Sequence, residues 1–128
     1  MATPMERGKV VRVEMDIDKS AQHFTRTATV LDPMPAPGGS LTILRLTSPV
    51  WYGVLPPRRA RHLAVSLREP CDQVVEGQTR EVRDAVTVEV YGVRGFDPEV
   101  PDKRWPHIPR RLQPRDLVWF GWADISKA

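Results

Sequence analysis

The chain has 128 residues, 41% of them hydrophobic and 27% charged, with a net charge of +3. That is enough for one packed core, too polar for a membrane span and too apolar for disorder. Its lone cysteine, Cys71, excludes an internal disulfide, and the N-terminal residues carry no apolar leader core, so the expected location is cytoplasmic, away from any membrane.

Residues 1–8, broken by Pro4 and Gly8, read as a flexible N-terminal arm, and residues 9–128 as a single domain. From residue 9 to residue 18, Val11, Val13, Met15 and Ile17 alternate with Arg12, Glu14, Asp16 and Asp18, which predicts a strand with one wet face. Glu14, Asp16 and Asp18 line that face. They have no second acidic cluster to converge with on a metal ion, so solvation or pairing with neighbouring arginines is the expectation. Residues 24–31 are rich in threonine and predict a second strand. It should end where Pro33, Pro35 and Pro37 alternate before Gly38 and Gly39, a pattern that fits an extended surface loop.

Residues 40–47 form a third strand whose apolar parity switches near Ile43, the mark of a bulge or of a strand covered on both faces. After Ser48 and Pro49 it continues through residues 50–55. Residues 58–69 fit two periods. Leu63, Val65 and Leu67 alternate, but Ala60, Leu63, Ala64 and Leu67 have helical spacing. Flanking Pro57 and Pro70, with the good helix formers between them, favour a helix whose outer face carries Arg58, Arg61, His62 and Arg68. An irregular stretch over residues 70–80 follows, then a strand over 81–94 with Val82, Val86, Val88 and Val90 on one parity.

Residues 97–115 contain Pro98, Pro101, Pro106, Pro109 and Pro114, so the segment must run as a long loop. Between positions 102 and 115 it sets Lys103, Arg104, Arg110, Arg111 and Arg115 against Asp102 alone. A last strand, residues 116–125, has apolar residues on both parities. Trp119, Phe120 and Trp122 read there as packing residues.

The order of strands, helix and long loop resembles the OB-fold, a five-stranded Greek-key barrel. The fold class expected is therefore mainly β: a small closed or partly open β-barrel with OB-like strand order and one helix. The resemblance implies that the loop over residues 96–115 helps line an oligonucleotide site. Fifteen of the nineteen basic residues are arginine, so the placement of the charge says more than its amount. The two basic segments sum to +7 on a body of −4.

The leading expectation is a non-enzymatic binding module that contacts a polyanion, above all single-stranded nucleic acid. It would do so through Lys103, Arg104, Trp105, His107, Arg110, Arg111 and Arg115 of the loop and Arg58, Arg61 and His62 of the helix. Next comes a structural assembly subunit of a multi-chain complex such as a virion, docking on protein partners or on other copies of itself through the loop and arm. An enzyme using the barrel interior ranks third, because no catalytic, phosphate-loop or dinucleotide motif is present. No cofactor is expected. His23, His62 and His107 lack metal-ligand spacing, and Cys71 has no partner histidine nearby in sequence.

Overall fold

The computed structural model describes residues 6–17, 22–53, 56–66, 85–108 and 110–128. The expectations for residues 1–5, Asp18, residues 54–55, residues 67–69, the stretch 70–80 with Cys71, residues 81–84 and Pro109 lie outside them. Six antiparallel strands close into a barrel: β1 (Val10–Ile17), β2 (Gln22–Ala36), β3 (Gly39–Tyr52), β4 (Arg58–Ser66), β5 (Ala85–Val93) and β6 (Leu117–Lys127). Each strand pairs with its neighbours in sequence, and β6 closes onto β1 through Val11 opposite Lys127 to Met15 opposite Ala123. The topology is an up-and-down meander, which corrects the expected Greek-key order. Closure leaves no free sheet edge around the ring.

The expected helix is also corrected. Residues 58–66 form β4, paired with β3 from Thr42 opposite Val65 to Tyr52 opposite Arg58, and with β5 from Leu63 opposite Gly92 to Ser66 opposite Glu89. The helical spacing has a different cause. Ala60, Leu63 and Val65 face the barrel interior, while His62 and Ala64 are buried on its outside. A strand covered on both faces loses its alternation, and the irregular register between Arg45 and Val50 on β3 shifts what remains. Among the described residues the only helical turn is a short 3-10 turn, Pro114–Asp116, and no helix is long and apolar enough to cross a membrane.

β1 folds as its alternation predicts, with Val11, Val13 and Met15 buried and Arg12 and Glu14 exposed. β2 runs further than expected, through Pro33 and Pro35 to Ala36. Its pairing with β1 ends at Thr29 opposite Val10, so the prolines sit where one side of the strand has no ladder to break. Pro49 falls in the irregular part of β3, again where its missing donor is tolerated. The parity switch near Ile43 marks a strand covered on both sides: Leu44 and Leu46 face the interior, and Ile43 faces a second cluster outside.

The interior is filled by apolar side chains from all six strands, with Phe120, Leu44, Leu46, Leu63 and Ile125 the largest fully buried. Fully burying a Val, Leu, Ile, Phe or Met side chain contributes about 1.5–3 kcal/mol before chain entropy is counted. The second cluster, Met34, Ala36, Ile43, Ala64, Val93 and Leu112, is roofed by the β5–β6 connection, residues 94–116. That connection is a strap across the outside of β2, β3 and β4.

Candidate binding surface

Local hydrogen bonds fix the strap at many points, as a proline-rich segment without a ladder requires. At its base Arg94 N donates to the Asp116 carbonyl (2.8 Å) and Arg94 Nε to the Arg115 carbonyl (2.6 Å). Two aspartates start turns: Asp97 Oδ1 accepts from Glu99 N (2.9 Å), and Asp102 Oδ1 accepts from Arg104 N (2.9 Å). The Asp102 turn continues through Trp105 N to the Asp102 carbonyl (3.2 Å) and Ile108 N to the Trp105 carbonyl (3.1 Å). These successive turns hold Lys103, Arg104, Trp105, His107 and Ile108 out into solvent. Leu112, fully buried, pins the returning limb, and its N–H donates to the Pro35 carbonyl (2.8 Å).

A polar clasp holds the outgoing limb. Glu99 Oε2 accepts from His62 Nε2 at 2.9 Å, Glu99 Oε1 is paired with Arg45, and Asp97 Oδ1 stands 3.8 Å from the same His62 nitrogen. The hydrogen bond from His62 holds the Glu99 carboxyl below its ordinary value; Arg45 adds to this against the opposing cost of burial. The ligand atoms of His62, Asp97 and Glu99 lie within 4.8 Å of one another. Both Glu99 oxygens are nevertheless occupied, one by a guanidinium that a metal ion would have to displace, so the group works as a clasp. A cleft of about 500 Å³ opens between the strap and strands β2 and β3, with Leu31, Met34 and Ile43 on one side and Val100, His107 and Ile108 on the other.

The expected site residues divide. Lys103, Arg104, Trp105, His107, Arg111 and Arg115 are exposed on the strap, and Arg58 and Arg61 are exposed on β4. His62 does not belong with them, since it is buried under the strap in the clasp. Arg110 is half-buried with its guanidinium 5.1 Å from the Phe96 ring centre and its Nε buried without a partner, which makes it a packing residue. Trp105 and Ile108 are both 61% exposed, and Leu112 is the strap side chain that is buried against the barrel wall. Arg59, which sequence reading passed over, stacks 5.5 Å from the ring centre of exposed Trp51. The clasp joins the two basic segments, because His62 neighbours Arg61 and the Lys103 Cα lies within about 14 Å of that of Glu99 by chain length alone. Among the described residues, Arg58, Arg59, Arg61, Lys103, Arg104 and Arg111 form no ion pair.

A second surface lies on the outside of β5, β6 and β1. Trp119 and Trp122, read from sequence as packing, are 40% and 54% exposed. Three residues apart on a regular strand they would face opposite sides. The register slips between Val90 and Tyr91, Phe120 becomes the extra residue, and Gly121 at φ 127° accommodates the bulge, so both indoles face out. Trp119 stands edge-on to Tyr91 (centroids 5.3 Å) and to Trp122 (6.4 Å). Glu89 pairs across from Trp122, and Asp124 lies between Thr87 and Glu14 on the flanking strands. Arg12 bridges Glu14 at 3.2 Å, and Thr87 Oγ1 donates to Asp124 at 2.8 Å. Glycine at position 121 amid aromatics was the one sequence signal that could have revealed this face.

No known protein family, curated protein or solved structure matches the chain, so its surface chemistry alone carries the functional reading.

Proposed function

We propose that this chain is a non-enzymatic assembly subunit that docks on neighbouring protein chains, as in a virion or another multi-chain complex, through the outside of its barrel. The observation that supports this most is the placement of tryptophan: all four, Trp51, Trp105, Trp119 and Trp122, are at least 40% exposed. Tryptophan carries the largest apolar area of any side chain, and a solitary domain gains by burying it. At protein interfaces it is a leading hot-spot residue. The strap suits docking too, because prolines and aspartate turns reduce the entropy lost when it is held by a partner.

The test is hydroxyl-radical labelling of tryptophan in the native extract and in the purified chain. Protection of Trp119, Trp122 and Trp105 is expected in the extract relative to the purified chain held monomeric by dilution and high salt; equal labelling in both would overturn the proposal.

A second reading, single-stranded nucleic-acid binding, is favoured by one observation: Arg58, Arg59, Arg61, Lys103 and Arg104 stand without ion pairs among the described residues, next to exposed Trp51 and Trp105. It leaves Trp119 and Trp122 unexplained, since the carboxylates around them repel phosphate. If about five phosphates are contacted, log K on single strands falls with log salt at a slope near −3.5. A flat response ends that reading.

A further inference from the structure

We propose that the partner seated on the Trp119 and Trp122 face is a second copy of this chain, docked head to tail through the tip of its own strap. This rests on the assembly reading and names the partner for it.

The argument is one of charge and shape. The indoles of Trp119 and Trp122 are bordered by Glu89, Asp124 and Glu14, and among the described residues Arg12 stands beside Glu14 on the same outer face. Glu14 and Asp124 stand directly opposite each other across β1 and β6, a like-charge pair that costs stability until a cation reaches it. Arg12 answers Glu14 alone. Two such faces meeting would set carboxylate against carboxylate, which disfavours a two-fold dimer through this surface.

The complement is on the same molecule. Lys103, Arg104 and Trp105 project from the strap tip, held by the Asp102 turn, with both cations free of ion pairs among the described residues and Trp105 61% exposed. An aromatic between two cations fits a face of aromatics among carboxylates. It offers ring contacts at the centre and charge-assisted bonds at the rim. Strap and acidic face occupy different parts of the barrel: the strap covers β2, β3 and β4, and the face is built on β5, β6 and β1. A head-to-tail contact leaves one unused surface of each kind on every dimer. Growth therefore continues until a ring closes or a filament forms.

Sedimentation of the purified full chain over a range of concentration and salt tests this. The expected result is mass that grows with concentration at low salt and falls back to the monomer at high salt. Glu14→Lys with Glu89→Lys, and separately Lys103→Glu with Arg104→Glu, each weaken association by about tenfold or more through like-charge contacts. Each variant keeps the wild-type circular dichroism spectrum and melting profile, since all four side chains lie outside the core. Mixing the two variants restores association, because each then offers the other a complementary surface.

A wild-type chain that is monomeric at every salt overturns the proposal, and so does association that mixing fails to restore. If the chain is monomeric yet Trp119 and Trp122 are protected in native extract, another protein holds the face: the second copy is wrong and the assembly reading stands. If they are unprotected there as well, both fail.

Discussion

At Gly92 a Cβ would lie 2.3 Å from Cζ of Phe120, and the whole ring edge sits within 2.9 Å. The Phe120 ring fills the space a side chain would take and stacks at a tilt on Tyr52, 5.2 Å between centroids. Gly92→Ala is therefore expected to destabilise the barrel by about 1–3 kcal/mol, as overpacking of a filled core does. Urea denaturation measures it, with a lower midpoint and an unchanged slope as the expected outcome.

Glu99 sets a pH dependence at the same scale. Its folded carboxyl titrates below the ordinary carboxylate value because His62 and Arg45 favour its charged form, so its contribution to the clasp is complete above that value and is lost as the pH falls through the lowered one. Strap amides such as Leu112 should lose hydrogen-exchange protection in that acid window, with rates normalised for intrinsic exchange. Glu99→Gln should show weaker protection at neutral pH and no such acid step. An acid step that persists in the variant would remove Glu99 as its cause.

Among the elements, the strap and β4 depend on each other. β4 is a strand rather than a helix because the strap covers its outer face through Ala64 and His62 while the interior takes Ala60, Leu63 and Val65. Leu112 is the strap's deepest apolar anchor. Leu112→Ala is expected to cost about 2–5 kcal/mol if the site cannot collapse. Local exchange in residues 94–116 should rise first, because the strap can open while the six-strand ring stays closed. A uniform loss across all strands would show that strap and barrel unfold as one unit.

For the whole molecule, closure of the ring and separation of charge matter most. Among the described residues the closed meander leaves no edge strand for another chain to extend, so association through the barrel uses side chains on its outside. Trp122→Ala should then change stability by only about 0.5 kcal/mol, as surface substitutions do, while it reduces self-association sharply. Thermal melts and sedimentation on the same sample separate the two effects. Loss of both together would mean that Trp122 packs as a core residue.

Much of this was legible in the residues themselves. β1 follows its alternation because one of its faces is wet, and the prolines with their neighbouring cations fixed residues 97–115 as an exposed, basic loop. Local chemistry determines such features, since backbone donors, φ restrictions and a single buried face act within a few residues. Three others were decided by tertiary contacts. Residues 58–66 lost their period because a distant strap covers the second face. Trp119 and Trp122 came to share a side through a bulge set by pairing with β5. The meander closes into a ring because β6 meets β1, a contact between chain ends that no local pattern encodes.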